Sequence, residues 1–301
     1  MSRTAVGITC ALLTGFLSAL SSQTYRKQGD DRRDQATFQV VSVWARVIFS
    51  FSLILVFGAK TGEKLFLFTS AGSGLAQTFN YVIVLYAIMM GPIAIAWGIL
   101  WLAAPAIAIA WAIYPGNEPW SVNQFIGLGL FIVCLPTLAF STYKHNMEQG
   151  NARPIRKAFF PLMVIAMLFG STDGYCNKFS NAYISDPGSP AIYITVVAFT
   201  VAIGTTIYHL IVRSRYRYSP TVIKYAVLVA LILAVQIGIN AYGLKFLDVA
   251  IFFPIVASSA IILSTVLSAY LHKEKPSPAT IFGLVMSIGA IIFLALGSNM
   301  Q

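Results

Sequence analysis

Charge is what this sequence has least of. Of its 301 residues only 10% are Asp, Glu, Lys or Arg, while 57% are apolar or aromatic; a soluble domain carries about a quarter charged residues. That balance excludes a soluble globular protein, and it excludes a disordered chain, which needs polar and charged residues in excess. Cysteine is scarce as well. Cys10, Cys134 and Cys176 each lie inside an apolar stretch and form no spaced pair, so neither a disulfide scaffold nor a thiolate metal site is encoded. The 22 glycines and 13 prolines show no period, which excludes a collagen-like chain. Acidic residues number ten against twenty Lys and Arg, giving a net charge of +10. No soluble face exists to carry a nucleic-acid-binding patch, so the excess serves orientation in a membrane. No HExxH, no GxxxxGK[ST] and no paired intramembrane carboxylates occur, and Ser171 and His209 lack a motif context. No enzyme activity, cofactor or metal site is expected.

What is present is a succession of long apolar runs. Leu65 to Asn117 contains no Asp, Glu, Lys or Arg, and a bilayer crossing needs about 20 such residues, so this stretch holds two helices hinged at Met89 to Pro92. The same rule predicts spans near residues 5–24, 38–58, 70–90, 92–114, 121–143, 158–179, 190–212, 224–244, 249–271 and 279–297. The result is an all-α, polytopic protein of ten transmembrane helices. Barrel strands would alternate polar and apolar residues over about ten positions, and these runs do not. The first span has Arg3 and a small-residue patch at Ser18 to Ser22, features of a signal peptide, but its counterpart in the repeat described next makes it a retained helix.

The chain is internally duplicated. A shift of 156 positions aligns residues 86–130 with 242–286 without a gap, and ten of the forty-five positions are identical, among them Tyr86/Tyr242, Tyr114/Tyr270, Glu118/Glu274, Ser121/Ser277 and Gly127/Gly283. Composition bias accounts for apolar matches but not for an acidic residue, two tyrosines and a glycine at one offset. Each half, 1–147 and 155–301, then holds five helices. An odd number makes the second copy enter the membrane from the opposite side, which places a pseudo-two-fold axis in the membrane plane and a site at the midplane between the halves.

The run Glu274-Lys275-Pro276-Ser277 to Thr280, followed by Gly283 and a final apolar helix, together with Glu118-Pro119-Trp120-Ser121 and Gly127, resembles the repeated module of the drug/metabolite transporter superfamily, EamA-like branch. Arg46 near the start of the second span fits the same pattern, with no basic counterpart in the seventh span. The resemblance covers essentially the whole chain. It implies a secondary carrier, often an exporter of amino acids, drugs or other small metabolites, in a bacterial inner membrane.

Several residues are candidates for contact with a solute. Asp173 is the carboxylate lying well within a span, where an ionisable group costs several kcal/mol unless paired, watered or protonated. Proton coupling, solute contact and a fixed salt bridge to Arg46 or Lys178 are its three readings. Arg46 offers forked donors to an anionic group, or snorkels to the interface as Lys178 does at its helix end. Gln77 and Asn80 in the third span and Gln236 and Asn240 in the eighth are polar at equivalent depths, and either bind solute or bond neighbouring helices. Ser22 and Gln23 on the first span and Tyr175 on the sixth form corresponding polar ends. Trp97 and Trp101, four apart on one face, either stack on an aromatic or cationic solute or pack. Ala104, Ala108 and Ala112 recur as Ala260, Ser264 and Ser268, a close-packing stripe. Glu118 and Glu274 are helix caps.

Ten spans divide the loops into two sets. One carries five Lys and Arg (Arg3, Lys60, Lys64, Lys178, Lys245); the other carries fourteen, among them Arg32, Arg33, Arg213, Arg215 and Arg217. The positive-inside rule places the richer set, and neither terminus, in the cytoplasm. The family resemblance implies the reverse, with both termini cytoplasmic.

Overall fold

The computed structural model describes residues 3–25, 27, 31–90, 96, 99–100, 103, 107, 121–148, 155–182, 184, 188–272 and 278–298. Among them the chain forms nine helices and no strand: α1 (Arg3–Tyr25), α2 (Arg32–Phe57), α3 (Lys64–Met90), α4 (Val122–Glu148), α5 (Phe159–Ala182), α6 (Pro190–Ile211), α7 (Pro220–Gly243), α8 (Val249–His272) and α9 (Pro278–Ser298). Residues 96, 99, 100, 103 and 107 are also helical, but most of the span expected at 92–114 lies outside the described residues.

The helices run past the apolar segments that mark them. α2 begins six residues before the expected 38 because Asp31 caps it, its side chain accepting from the Arg33 backbone N–H at 3.0 Å, and the charged first turn stays helical. α2 stops at Gly58, whose φ of 79° closes the helix with its N–H donating to the Ile54 carbonyl at 2.8 Å. α6 starts at Ser189–Pro190, serine as the cap and proline at the first helical position.

Five helices, α1, α2, α5, α6 and α7, are each long and apolar enough to cross a membrane. Ile48, Leu55, Phe68 and Ile211 on the outside are between 69% and 87% exposed, whereas Arg46, Ser50, Ser70 and Ser73 are buried. Large apolar side chains thus cover the outside while polar ones are buried among an otherwise apolar core, the surface of a membrane protein.

Helices pack in a defined set of pairs: α3 with α5 and α6, α1 with α7 and α8, α2 with α6 and α7, and α4 with α9. Small residues let these backbones approach. A β-carbon at Gly15 would collide with Ser259 and come within 2.8 Å of the Val256 carbonyl oxygen across the α1–α8 seam. On the α3–α6 seam the fit is reciprocal, since Gly74 faces Thr200 with 2.6 Å left for a β-carbon, and Gly204 faces Thr78 with the same margin. Of the expected close-packing stripe, Ala260 is buried on α8, while Ala104, Ala108 and Ala112 lie outside the described residues.

Loops meet neighbouring helices at both ends of the bundle. At one end the α6–α7 loop joins α2, Arg217 N–H donating to Thr37 Oγ1 at 2.9 Å, and Arg156 N–H donates to the Met90 carbonyl at 2.9 Å. At the opposite end Ser189 N–H donates to the Lys60 carbonyl at 2.7 Å.

Candidate functional site

Two helices, α2 and α5, bring charge to the middle of the bundle, and α3 brings the polar groups between them. Arg46 is 14 residues from the start of α2 and 11 from its end, so about 21 and 17 Å of helix separate it from the two ends. It is only 2% exposed. Its burial and its bond to Gln77 point the side chain into the bundle and not toward the interface, against the snorkelling reading. Lys178 is also largely buried, at 8% exposure.

Arg46 Nη1 donates to Gln77 Oε1 at 3.0 Å, and Gln77 Nε2 donates to Asp173 Oδ1 at 3.0 Å. Ser73, one turn before Gln77 on α3, donates its hydroxyl to the same carboxylate oxygen. The cation and the anion are thus joined through an amide and not by the direct salt bridge offered as one reading of Asp173. Gln77 suits this position because one end of its side chain accepts and the other donates. The charge of Arg46 still acts on Asp173 through space. Asp173 and Gln77 are partly buried and Ser73 fully so.

The other edge of the guanidinium is not used. Arg46 Nε and Nη2 are buried and have no hydrogen-bond partner among the described residues. These two atoms form the side-on fork of arginine, whose parallel N–H groups match the two oxygens of a carboxylate or phosphate. A buried donor without an acceptor costs about 1 to 3 kcal/mol, more when charged. The Tyr193 hydroxyl on α6 is likewise buried and meets no hydrogen-bond geometry among the described residues, though it lies beside Ser73 and close to Asp173 and Arg46. One turn away on α2, Ser42 and Val43 line a cavity of about 20 Å³ with Tyr25, Gln39, Tyr81 and Thr205, room for a single water. The Tyr25 and Tyr81 hydroxyls meet there at 3.2 Å and tie α1 to α3.

The remaining candidates fall elsewhere. Asn80 Nδ2 donates to the Ala166 carbonyl of α5 at 2.6 Å and is an interhelical bond. Gln236 Nε2 donates to Ser18 Oγ at 3.0 Å across the α1–α7 seam, and the Gln236 and Asn240 carbonyl oxygens are buried without partners. Gln23 reaches the Ser264 carbonyl and hydroxyl on α8 at 3.2 and 3.3 Å. Ser22 bonds its own helix at Ser18 and Ala19, and Tyr175 stacks on Phe179. Trp97 and Trp101 lie outside the described residues. Ser73, Tyr193, Gln39 and Thr205 went unnoticed in the sequence, although Ser73, Gln77 and Asn80 share one helical face by spacing alone.

No family model matches this chain, and no curated protein sequence matches it. Its fold is shared with a solved structure described only as a crystal structure of a protein. The likeness covers 99% of this chain and 98% of that one, with a TM-score of 0.73 and 14% identity. At that identity the likeness shows the fold alone.

Proposed function

We propose that the chain is a secondary transporter of a small organic solute, working by alternating access between two inverted five-helix repeats of the EamA-like drug/metabolite transporter kind. The observation that carries the reading is the unfilled Nε/Nη2 edge of Arg46, buried halfway along its helix beside Asp173. A buried arginine with one occupied and one vacant edge has a ready place for an anionic group of the solute, a carboxylate or a phosphate.

The packing pairs support the repeat. Exchanging α1 with α5, α2 with α6 and α3 with α7 turns the α1–α7 pair into α5–α3 and the α2–α7 pair into α6–α3. It leaves α2–α6 in place, and both members of each exchanged pair occur. The polar bridges follow the same exchange, Ser18 to Gln236 on one seam and Ser73 and Gln77 to Asp173 on the other. Only the second seam carries charge.

Protons are the coupling ion in this reading. Ionised Asp173 accepts from both Ser73 and Gln77; protonated, it becomes a donor with less acceptor capacity. Gln77 is then held differently, and through it the Arg46 edge that meets the solute. A facilitator, a channel or a receptor on the same fold is the second reading; saturable counterflow in proteoliposomes separates a carrier from a channel or a receptor, and uphill flux driven by a pH gradient separates it from a facilitator.

The test starts from a thermal-shift screen of purified protein against amino acids, nucleotides, sugar phosphates and lipophilic cations, since ligand binding raises stability by mass action. Anionic compounds are expected to stabilise the wild type and to lose that effect with Arg46→Gln. Compounds that register are then tried in counterflow. Stabilisation by cations alone, or counterflow unchanged in Arg46→Gln, overturns the assignment of the site. Asp173→Asn is expected to abolish the pH dependence of flux, and retention of that dependence removes the proton.

A further inference from the structure

At the end of the bundle where the α1–α2 and α6–α7 loops meet, Asp31, Arg32, Arg33, Val212, Ser214 and Arg215 line a cavity of about 350 Å³. Three guanidinium groups face one carboxylate, and that carboxylate is engaged as the cap of α2, accepting from the Arg33 backbone N–H. No ion pair neutralises Arg32, Arg33 or Arg215 among the described residues, and all three are exposed.

The backbone that carries the cavity's side chains is fixed in place. Arg213 takes a left-handed conformation, φ 51°, the one non-glycine residue to do so among those described, and it turns the chain sharply out of α6. The turn is pinned on both sides. Ser214 N–H donates to the His209 carbonyl at 2.9 Å and the Ser214 hydroxyl meets His209 Nδ1 at 2.9 Å. His209 Nε2 meets Gln39 of α2 at 3.0 Å, and Arg217 N–H is held by Thr37. Arg215 therefore stands between two backbone anchors and lines the same cavity as Arg32 and Arg33.

We propose that this cavity binds the phosphate of an anionic membrane lipid, with an acyl chain running along the α2–α6 flank. Membrane lipid is the source that the surroundings select. Val212, part of the lining, is 47% exposed, and directly below it on α6 lie the exposed Ile211, Leu210 and Ile207. That ridge leads to Trp44 of α2, which bonds Thr206 Oγ1 at 3.0 Å and packs edge-on against Phe199. Beside the cleft Tyr218 stacks on Tyr216, an amphipathic pair at the depth where headgroups sit. Arginine binds a phosphodiester through charge-assisted, directional bonds, and the positive-inside rule sets this end against the leaflet face where anionic lipids concentrate.

Native mass spectrometry of the full-length protein, released from phosphatidylcholine nanodiscs doped with phosphatidylglycerol, tests the site. The wild type is expected to retain phosphatidylglycerol over phosphatidylcholine, and retention to fall about tenfold in R32Q/R33Q/R215Q, as loss of one or two charge-assisted bonds requires. R215Q alone, which leaves the capped start of α2 untouched, is expected to lose a smaller share in the same direction. Lys224→Gln, an exposed charge at the same end outside the cavity, is expected to retain the lipid as the wild type does. Equal retention in R215Q and the wild type, or an equal loss in Lys224→Gln, overturns the proposal. Inorganic phosphate and glycerol 3-phosphate serve as soluble competitors; displacement of the lipid at concentrations comparable to its own makes the site one for free phosphate and also overturns it.

Discussion

Replacing Gln77 by leucine isolates the element on which the central site turns. The side chain makes two bonds, accepting from Arg46 and donating to Asp173, each at 3.0 Å and each to a charged group. Interhelical hydrogen bonds inside membranes average about 0.6 kcal/mol in double-mutant cycles and reach about 1.7. Charged partners place both of these at the upper end, so Gln77→Leu is expected to lower stability by about 3 kcal/mol. Asp173→Asn is expected to cost under about 1 kcal/mol, because asparagine keeps an oxygen able to accept from Ser73 and Gln77. The pair of changes made together gives a coupling energy of about 1.5 kcal/mol, read from unfolding in mixed micelles or by steric trapping in bicelles. A coupling near zero, with the Gln77→Leu loss below about 0.5 kcal/mol, would show that the three side chains do not act as a relay.

Other consequences are as direct. Gly15→Ala presses a methyl group into Ser259 and the α8 backbone and is expected to lower the melting temperature, with a cost of about 1 to 3 kcal/mol for overpacking. Gly129→Ala meets nothing within 4 Å and is expected to be neutral or to stabilise by up to about 1 kcal/mol from helix entropy; the two variants compared by thermal unfolding check the seam. A fluorescent reporter that folds only in the cytoplasm, fused after Gln301, is expected to stay dark, since the basic loops lie at the other end from Arg3; bright cells would reverse the orientation. Tyr81→Phe removes the hydroxyl that meets Tyr25 and is expected to raise the accessibility of a cysteine placed at Ser42 to an aqueous thiol reagent, measured by labelling rate.

Much of this was legible in the sequence because bilayer thickness imposes a length that apolar runs must meet. The ends of α6 and α8 fall within a residue of the expected spans. α2 and α3 begin six residues early, since an apolar run marks where lipid contact starts and not where backbone hydrogen bonding starts. Arg46 lies eight residues into the expected span, a depth that the sequence leaves open to snorkelling; the face of α2 that meets α3 buries it and gives it Gln77 as a partner instead. Asp173 stood out as an isolated carboxylate, but its link to Arg46 through Gln77 depends on which faces of α2, α3 and α5 meet, a property of tertiary packing that no single helix records. Tyr193 was invisible for the same reason, since a tyrosine near the start of an apolar helix is ordinary at a membrane interface.

The paired glycines of α3 and α6 have a mechanical consequence. Each helix holds a threonine of the other in a notch with no slack, at two levels 4 residues apart on each helix. Such an interlock resists sliding and twisting together, so α3 and α6 travel as one rigid body. In the alternating-access cycle proposed above, the motion that turns Arg46 from one face of the bilayer to the other is taken up at joints lacking this double latch.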